Sequence, residues 1–556
     1  MSDRFATHAV TNQPPPLTDV NLFACDVALA DAIAREGAAS AARTLNGFGL
    51  TAGSEEAQEL AYLANIHPPK LETHDRFGRR LDVVTYHPAY HDLMRLSCAE
   101  GIANSTWTHL GPAGGSPDKA AHVVRAAHLY LAVQMEPGHC CPLTMTNAAV
   151  PVLMKNETLA QDWLPLLLSR TYDPRFEPAA DKSGAMIGMA MTEKQGGTDV
   201  RANTTSAIRN GDGLYSITGH KWFMSAPMSD AFLVLAQAKG GLSLFLVPRF
   251  LPDGTVNAIH LQRLKDKLGN RSNASSEVEF HDASGWLIGE EGRGVATVVD
   301  MLTYCRLDCA ISSAALMRSA VAQAVHHAEH RFVDGRALVG EPLMQQVLAD
   351  LTLDVEAAVA LSFRLARSFD RARDPRAAAW RRLMTPVTKY WVTKITSPLI
   401  CEAMECLGGN GYVENWPMAR LYREAPVNAI WEGSGNVMAL DVLRVLQKEP
   451  DVVEYVTEEL RGACAGDAVL AAAFERLQTV LFEPRLLDVR ARQLVEGLAK
   501  LAAAAILRAQ GNTAVADAFI ATRIDGAARQ TYGQGLDRSD MKAILARATP
   551  NRPLPG

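Results

Sequence analysis

The feature that most constrains the fold is a change of periodicity that happens twice along the chain. Two regions rich in Ala and Leu, with apolar residues at helical spacing, flank a block of about a hundred residues that reads as short strands. In residues 21–168, stretches such as DVALADAIAREGAASAARTL carry the helical pattern, interrupted by HPP and HP breakers. In residues 185–287, GLYSITGHKWF, AFLVLAQA, LSLFLVPRF and SSEVEF are β-rich runs separated by Gly, Asp and Pro. Helical patterns return over residues 294–446, most clearly in ATVVDMLTYCRLDCAISSAALMRSAVAQAVHHAEH. Residues 451–556 are helical again, and AAAAILRAQGNTAVADAFIATRI reads as two helices joined at a Gly-Asn turn.

This order predicts an α+β multidomain chain. The expected units are an N-terminal helical domain (1–182), a β-domain (183–292), a four-helix-type domain (293–450) and an appended C-terminal helical domain (451–556). With 556 residues there is ample chain for several cores, and 48% hydrophobic with 21% charged residues excludes a disordered protein. A net charge of −6 speaks against a surface adapted throughout to nucleic acid, while leaving room for a local basic patch. The nine cysteines have no regular spacing, so a reducing compartment fits better than a disulfide framework. The start of the chain lacks an apolar signal core, and no window approaches the ~20 apolar residues of a membrane span. A cytoplasmic protein without membrane contact is expected.

Neither GxGxxG nor the phosphate-loop pattern GxxxxGK occurs, so any dinucleotide must be held in another way. MAMTEKQGGTDV opens the β-rich block, with Thr192 and Thr198 offering hydroxyls and Gly196 and Gly197 allowing the backbone to close on a planar or phosphorylated group. A tight turn is the plainer reading. HKWFMS places Trp222 and Ser225 at a strand end, suited to packing a ring system, although a core Trp is the plainer alternative. Cys305 with Cys309, and His326 with His330, have the i,i+4 spacing of a metal pair, but no third ligand suggests itself and no metal site is expected. Cys140 and Cys141 are adjacent, too close for a paired zinc knuckle, and read as buried packing.

Taken in order, MTEKQGGTD, GHKWFMS, KLGNRSNASSEVEF, IGEEGRG, LGGNGY and IWEGSGN resemble the acyl-CoA dehydrogenase family over roughly residues 100–447. NQPPPLTDVNL, ANIHPPKL, GRRLDVVTYHPAYH, CPLTMT and VPRFLPDG are similar to the adaptive-response flavoproteins within that family, which carries the resemblance to the N-terminus. The resemblance implies FAD. It assigns flavin contacts to Met189, Met191, Thr192, Gly197 and Thr198, and to Phe223, Met224 and Ser225. It assigns flavin and adenine contacts to Gly408 and Gly409, to Ile430, Trp431 and Gly433, and to Ser434, Gly435, Asn436 and Leu440. Many members are tetramers in which an Arg of an RxxFG motif reaches a neighbour's flavin pyrophosphate. Arg331 matches that Arg, while Asp334 stands where the Phe is expected.

Family dehydrogenation needs a base at the substrate α-carbon, and the resemblance gives that role to Glu432. Its setting, WEGSGN, supplies an aromatic wall that desolvates the carboxylate and glycines that leave room for a thioester. By default such a loop Glu is a solvated acid. In isovaleryl-type members the base precedes a helix Arg matching Arg306, and Cys305 occupies that place. Trp431 is bulkier than the Tyr usual beside the base and narrows the acyl pocket.

The same resemblance implies a C-terminal domain that binds double-stranded DNA without sequence preference. From residue 461 onward, basic residues outnumber acidic ones by about four. Candidate phosphate contacts are Arg485, Arg492, Lys500, Arg508 and Arg523, with Arg529, Arg538, Lys542 and Arg547. Arg interspersed with Asp and Glu is equally what a solvated helical face shows. The expectation is an FAD-containing homotetramer that binds duplex DNA in the response to alkylation damage, with at most weak dehydrogenase activity. The alternative is a working dehydrogenase for short or branched acyl-CoA.

Overall fold

The computed structural model describes residues 7–111, 114, 118–211, 213–481, 487–526, 531–532 and 538–550, with side chains excluded at 538 and 539. The N-terminal region contains α1 (Val27–Arg35), α2 (Ala42–Ala52) and α3 (Glu55–Ile66), then β1 (Lys70–His74) and β2 (Arg80–Thr85). It continues with α4 (Pro88–Ala99), α5 (Ala121–Met135), α6 (Cys140–Leu153) and α7 (Glu157–Leu167). The side chains of Asp26, Ser54 and Asn156 accept backbone N–H groups at the starts of α1, α3 and α7, which fixes where those helices begin. The β1–β2 hairpin departs from the expected all-helical domain. ANIHPPKL ends α3 and turns the chain into an antiparallel pair, Leu71 facing Val84.

The β-domain comprises β3 (Ile187–Ala190), β4 (Ser206–Arg209), β5 (Leu214–Ser225), β6 (Ala231–Ala238), β7 (Gly241–Pro248), β8 (Ile259–Leu264) and β9 (Ser275–Ile288). β6 and β7 are near-continuous apolar runs because both of their faces are buried. The pairings of β5 with β9, β9 with β7, β7 with β6, and β6 through β3 and β4 back to β5 close the sheet on itself. Phe232, Val234, Phe245 and Val278 fill its interior. β3 runs parallel to β6 and meets the end of β5, so that Met189 pairs with Ser225.

α8 (Gly294–His330) follows, then the small hairpin of β10 (Phe332–Val333) and β11 (Arg336–Ala337), and the long α9 (Pro342–Asp370) and α10 (Pro375–Glu405). α8 lies against α5, α6, α9 and α10. This explains why its apolar residues run round the helix instead of forming one stripe. The short α11 (Gly409–Tyr412) and α12 (Pro417–Glu424) lead to α13 (Gly435–Lys448).

The tail holds α14 (Pro450–Cys464), α15 (Ala468–Leu481), α16 (Leu487–Ala509), α17 (Thr513–Phe519) and α18 (Arg538–Ala548). It does not stand apart as an appendage. Leu494, Leu498 and Leu501 of α16, with Phe519 and Ile544, belong to the same apolar core as α1, α5, α8, α9 and α10. Arg318 on α8 is buried and donates to the carbonyls of Ala548 (2.9 Å) and Cys25 (2.8 Å), tying tail, central bundle and N-terminus together. Among the described residues, no helix is long and apolar enough to cross a membrane.

Candidate active site

Glu432 lies in the turn that leads into α13, with φ of +59°, a left-handed backbone conformation that a non-glycine residue adopts only when its surroundings enforce it. The enforcement is visible. Lys389 on α10 donates its Nζ to the Trp431 carbonyl (2.8 Å) and to that of Gly433. Arg306 on α8 donates Nε to the carbonyl of Glu432 itself (3.1 Å) and is in turn oriented by Asp441 at 2.8 Å. Three successive carbonyls are therefore held by two buried cations, while the Glu432 carboxylate takes no part in the holding. Burial pushes that carboxyl up to about 7, against the lowering influence of Lys389 and Arg306.

The carboxylate faces a cavity of about 50 Å³. Cys141, Thr144 and Met145 of α6, Cys305, Asp308 and Cys309 of α8, and Met189 and Ser225 of the sheet form its walls, together with Trp431 and Glu424. The Trp431 indole is fixed by its Nε1–H bond to Asn428 Oδ1 at 3.0 Å. Asp308 is neutralised by a buried two-bond contact with Arg125 (2.7 and 2.9 Å). Burial drives the Cys305 thiol well above its ordinary range, so it stays protonated and cannot replace a carboxylate. Glu424 is a second acid in the wall, with both oxygens accepting the Asn270 N–H, and burial pushes it up to about 7 as well.

The residues expected to hold a flavin fall into three groups. Met189, Ser225 and Trp431 line the cavity with Glu432. Outside the cavity lining, Thr198 and Phe223 of the β-domain and Ile430, Ser434, Asn436 and Leu440 of the loop and α13 are exposed; Phe223 is 45%, Ile430 66% and Leu440 58% exposed. Apolar surface left open on both sides suits a planar partner. Gly197 is needed where it stands, since a Cβ there would lie 2.5 Å from Thr192 Oγ1. Met191 and Thr192 are half-buried behind it. Gly433 has φ of +103°, and a Cβ on Gly435 would meet Lys394 Cε at 2.7 Å. The Met224 side chain is fully buried in the barrel interior, which leaves its main chain to meet a cofactor.

The third group is elsewhere. Arg331 caps the far end of α8, ~37 Å along the helix from Arg306 at 1.5 Å per residue, and donates to the Asn12 carbonyl at 2.6 Å. Gly408 and Gly409 are exposed, and the adjoining Asn410 bonds Gln13. None of these three lines the cavity. Asp334 is the positive-φ residue of the β10–β11 turn, beside Gly335, a backbone position that suits Asp better than Phe.

The tail cations are mostly engaged within the fold. Arg523 is buried against Asp350 (2.6 Å) and Asp354 (2.9 Å), and Arg547 against Asp31 (2.7 Å) and Glu356. As DNA contacts these two are withdrawn, because the charge they would offer is already matched by carboxylates. Arg508 pairs with Asp467 and Asp517, and Lys500 with Glu496. Arg492 and Lys542 are exposed, Arg492 donating to the Tyr390 hydroxyl at 2.9 Å. Arg485, Arg529 and the side chain of Arg538 lie outside the described residues.

Sequence reasoning missed Lys389, Arg306 as the holder of the loop, Asp441 and Glu424. Nothing local marks them, since each is one polar residue in a helix or turn.

Known proteins match the chain domain by domain. Residues 12–174 match the adaptive response protein AidB N-terminal domain, 188–283 the acyl-CoA dehydrogenase middle domain and 292–447 the acyl-CoA dehydrogenase C-terminal domain. The chain is 46% identical over 544 residues, 98% of each chain, to the putative acyl-CoA dehydrogenase AidB of Escherichia coli (strain K12). It is 31% identical over 467 residues to acyl-CoA dehydrogenase family member 11 of Caenorhabditis elegans, covering 79% of this chain and 73% of that one. The crystal structure of Caenorhabditis elegans ACDH-11 in complex with C11-CoA superimposes with a TM-score of 0.83 at 26% identity, covering 100% of this chain and 95% of the other.

Proposed function

Because the chain belongs to the acyl-CoA dehydrogenase family, we propose that it dehydrogenates a short or branched acyl-CoA at the α,β-bond, with Glu432 as the base and FAD as the acceptor. The observation that carries this reading is the Glu432 loop, whose three carbonyls are held by Lys389 and Arg306 while its carboxylate is left to the cavity. When bound, FAD supplies the acceptor for the hydride that leaves the β-carbon. The open surface around Phe223, Thr198, Ile430 and Leu440, next to Met189 and Ser225, fits such a ring.

Glu432 then receives the α-proton on its carboxylate. A carboxyl that titrates near 7 is ionised often enough to act, and basic enough to take the proton. Trp431 and the small cavity restrict the acyl group to a few carbons. Arg331, Gly408 and Gly409 do not line the cavity, which leaves them for the flavin of a neighbouring subunit in a homotetramer.

Anaerobic addition of a panel of short and branched acyl-CoAs to the flavin-loaded protein should bleach the flavin with at least one of them, and the Glu432→Gln variant should stay yellow. Bleaching by none, or an unchanged rate in the variant, would sink the proposal.

A second reading adds duplex DNA binding by the C-terminal region, a part in the response to alkylation damage and a cytoplasmic location. It is supported by near-full-length likeness to the putative acyl-CoA dehydrogenase AidB of Escherichia coli, by the chain's own match to the adaptive response protein AidB N-terminal domain, and by the exposed Arg492 and Lys542. Salt-dependent binding of full-length protein to duplex DNA tests it.

A further inference from the structure

The C-terminal end of α8 brings together three side chains that the reaction does not use. One donor atom from each of His326, Glu329 and His330 lies within 4.8 Å of the others. The pair of histidines was legible as i,i+4 spacing, and the structure supplies the third ligand that the sequence did not suggest. Their rings are 4.3 Å apart, centre to centre.

Spacing alone carries little, but the hydrogen bonds around the two rings are decisive. His326 Nε2 faces the Pro15 carbonyl at 2.9 Å, and His330 Nδ1 faces the His326 carbonyl at 2.8 Å. A carbonyl oxygen only accepts, so each of these nitrogens must carry the proton. The lone pairs are therefore left on His326 Nδ1 and His330 Nε2. His326 is only 5% exposed, and its Nδ1 is buried with no hydrogen-bond partner. A metal-bound imidazole has this arrangement: one nitrogen ties the ring to a backbone carbonyl and fixes the tautomer, while the other is free to ligate.

We propose that His326 Nδ1, His330 Nε2 and the Glu329 carboxylate bind a late first-row divalent cation of the zinc type. Two imidazoles and one carboxylate are the donor set such ions take with a fourth position open. Ligands at ~2.1 Å from a tetrahedral ion stand ~3.4 Å apart, so a donor pair at the 4.8 Å limit closes in by ~1.4 Å, through rotation of the Glu329 side chain and of the two imidazole rings. The fourth position is left to water or to a small ligand entering the neighbouring cavity of about 890 Å³, which His326 lines with His327, Tyr62, Trp416 and the Pro14–Pro16 arm. Because His326 also holds Pro15, the ion would fasten that arm to α8.

The test uses the full-length, flavin-loaded protein, dialysed against chelator and titrated with Zn²⁺ by calorimetry and with Co²⁺ by visible absorption. One ion per chain, with the absorption of a tetrahedral Co²⁺ site, is expected. His326→Ala and His330→Ala should each weaken binding at least ~100-fold and Glu329→Gln about tenfold, since even outer-shell partners of metal ligands are worth 10–100-fold. His327→Ala, which removes a neighbour but no ligand, should bind as the parent does. Should His326→Ala fail to fold, His330→Asn and Glu329→Gln decide the matter together with the Co²⁺ spectrum. The absence of stoichiometric uptake, octahedral Co²⁺ absorption, or equal affinity in the ligand variants would overturn the proposal.

Discussion

The base loop and the C-terminal tail both bury cations, but to opposite ends. In the loop, Lys389 and Arg306 bond main-chain carbonyls, so their charge fixes a backbone shape and leaves the Glu432 carboxylate without a hydrogen bond among the described residues. In the tail, Arg523 and Arg547 meet Asp350, Asp354, Glu356 and Asp31, so charge is matched by charge. A buried ion pair whose partners satisfy one another is structure; a buried carboxylate whose neighbours hold its backbone instead is a group kept ready for work. The difference separates the part of the chain that reacts from the part that holds it together.

The largest effect should come from removing the carboxylate. Glu432→Gln should slow flavin bleaching by ~10²–10⁴-fold, the range a positioned base provides. It should hold or raise the unfolding midpoint at neutral pH, since the side chain holds nothing and burial of its charged form opposes folding. Stopped-flow reduction and urea denaturation read the two quantities. A large loss of stability would mean that the two regions do not divide the work as described.

The reverse outcome belongs to the tail. Arg523→Ala leaves two buried carboxylates facing each other and should cost ~3–5 kcal/mol in urea unfolding. Bleaching by folded protein should persist. A loss below about 1 kcal/mol would make this an ion pair that contributes no more than a surface one.

Lys389→Met sharpens the comparison from the other side, because it removes a cation that lowers the Glu432 carboxyl. In the parent protein the bleaching rate should rise with pH below about 7 and level off above it, because only the ionised carboxylate accepts a proton. Without Lys389 the carboxyl moves further up, so that limb should shift to higher pH. A shift of about one unit, from about 7 to about 8, lowers the ionised fraction at pH 7 from about one half to about one tenth, so the rate there should fall about fivefold. A limb that stayed in place while the rate fell would assign Lys389 to holding the loop alone.

How much of this was legible follows from the range over which each signal acts. β6 and β7 were readable because AFLVLAQA and LSLFLVPRF carry their burial in their own residues. The WEGSGN loop was readable as a motif. The β1–β2 hairpin was not, because β1 alternates exposed polar residues with half-buried ones inside a helical region, β2 buries the charged Asp82 while exposing Leu81, and ANIHPPKL reads as a helix breaker. Lys389 could not be picked out of AAAWRRLMTPVTKYW, where its role depends on carbonyls some forty residues later in the chain. The same holds for Arg523, which counted as a free cation until the fold brought Asp350 and Asp354 beside it. Charge totals describe a region; pairing across the fold decides what the region can bind.

The smallest effect is expected in duplex DNA binding. Deleting the tail is a poor test, because Leu494, Leu498 and Phe519 share the core of the central bundle and their removal would expose it. Point changes at the cations that remain exposed are cleaner. Arg492→Gln and Lys542→Gln should each reduce the slope of log affinity against log salt by about one, the counterions of a single phosphate contact, and weaken binding equally across unrelated sequences. Arg492 also bonds Tyr390, so Lys542→Gln is the change with the simpler meaning. A salt slope untouched by both would place any DNA contact away from α16 and α18. It would then follow that the described cations of the tail serve to anchor it, as Arg523 and Arg547 already do.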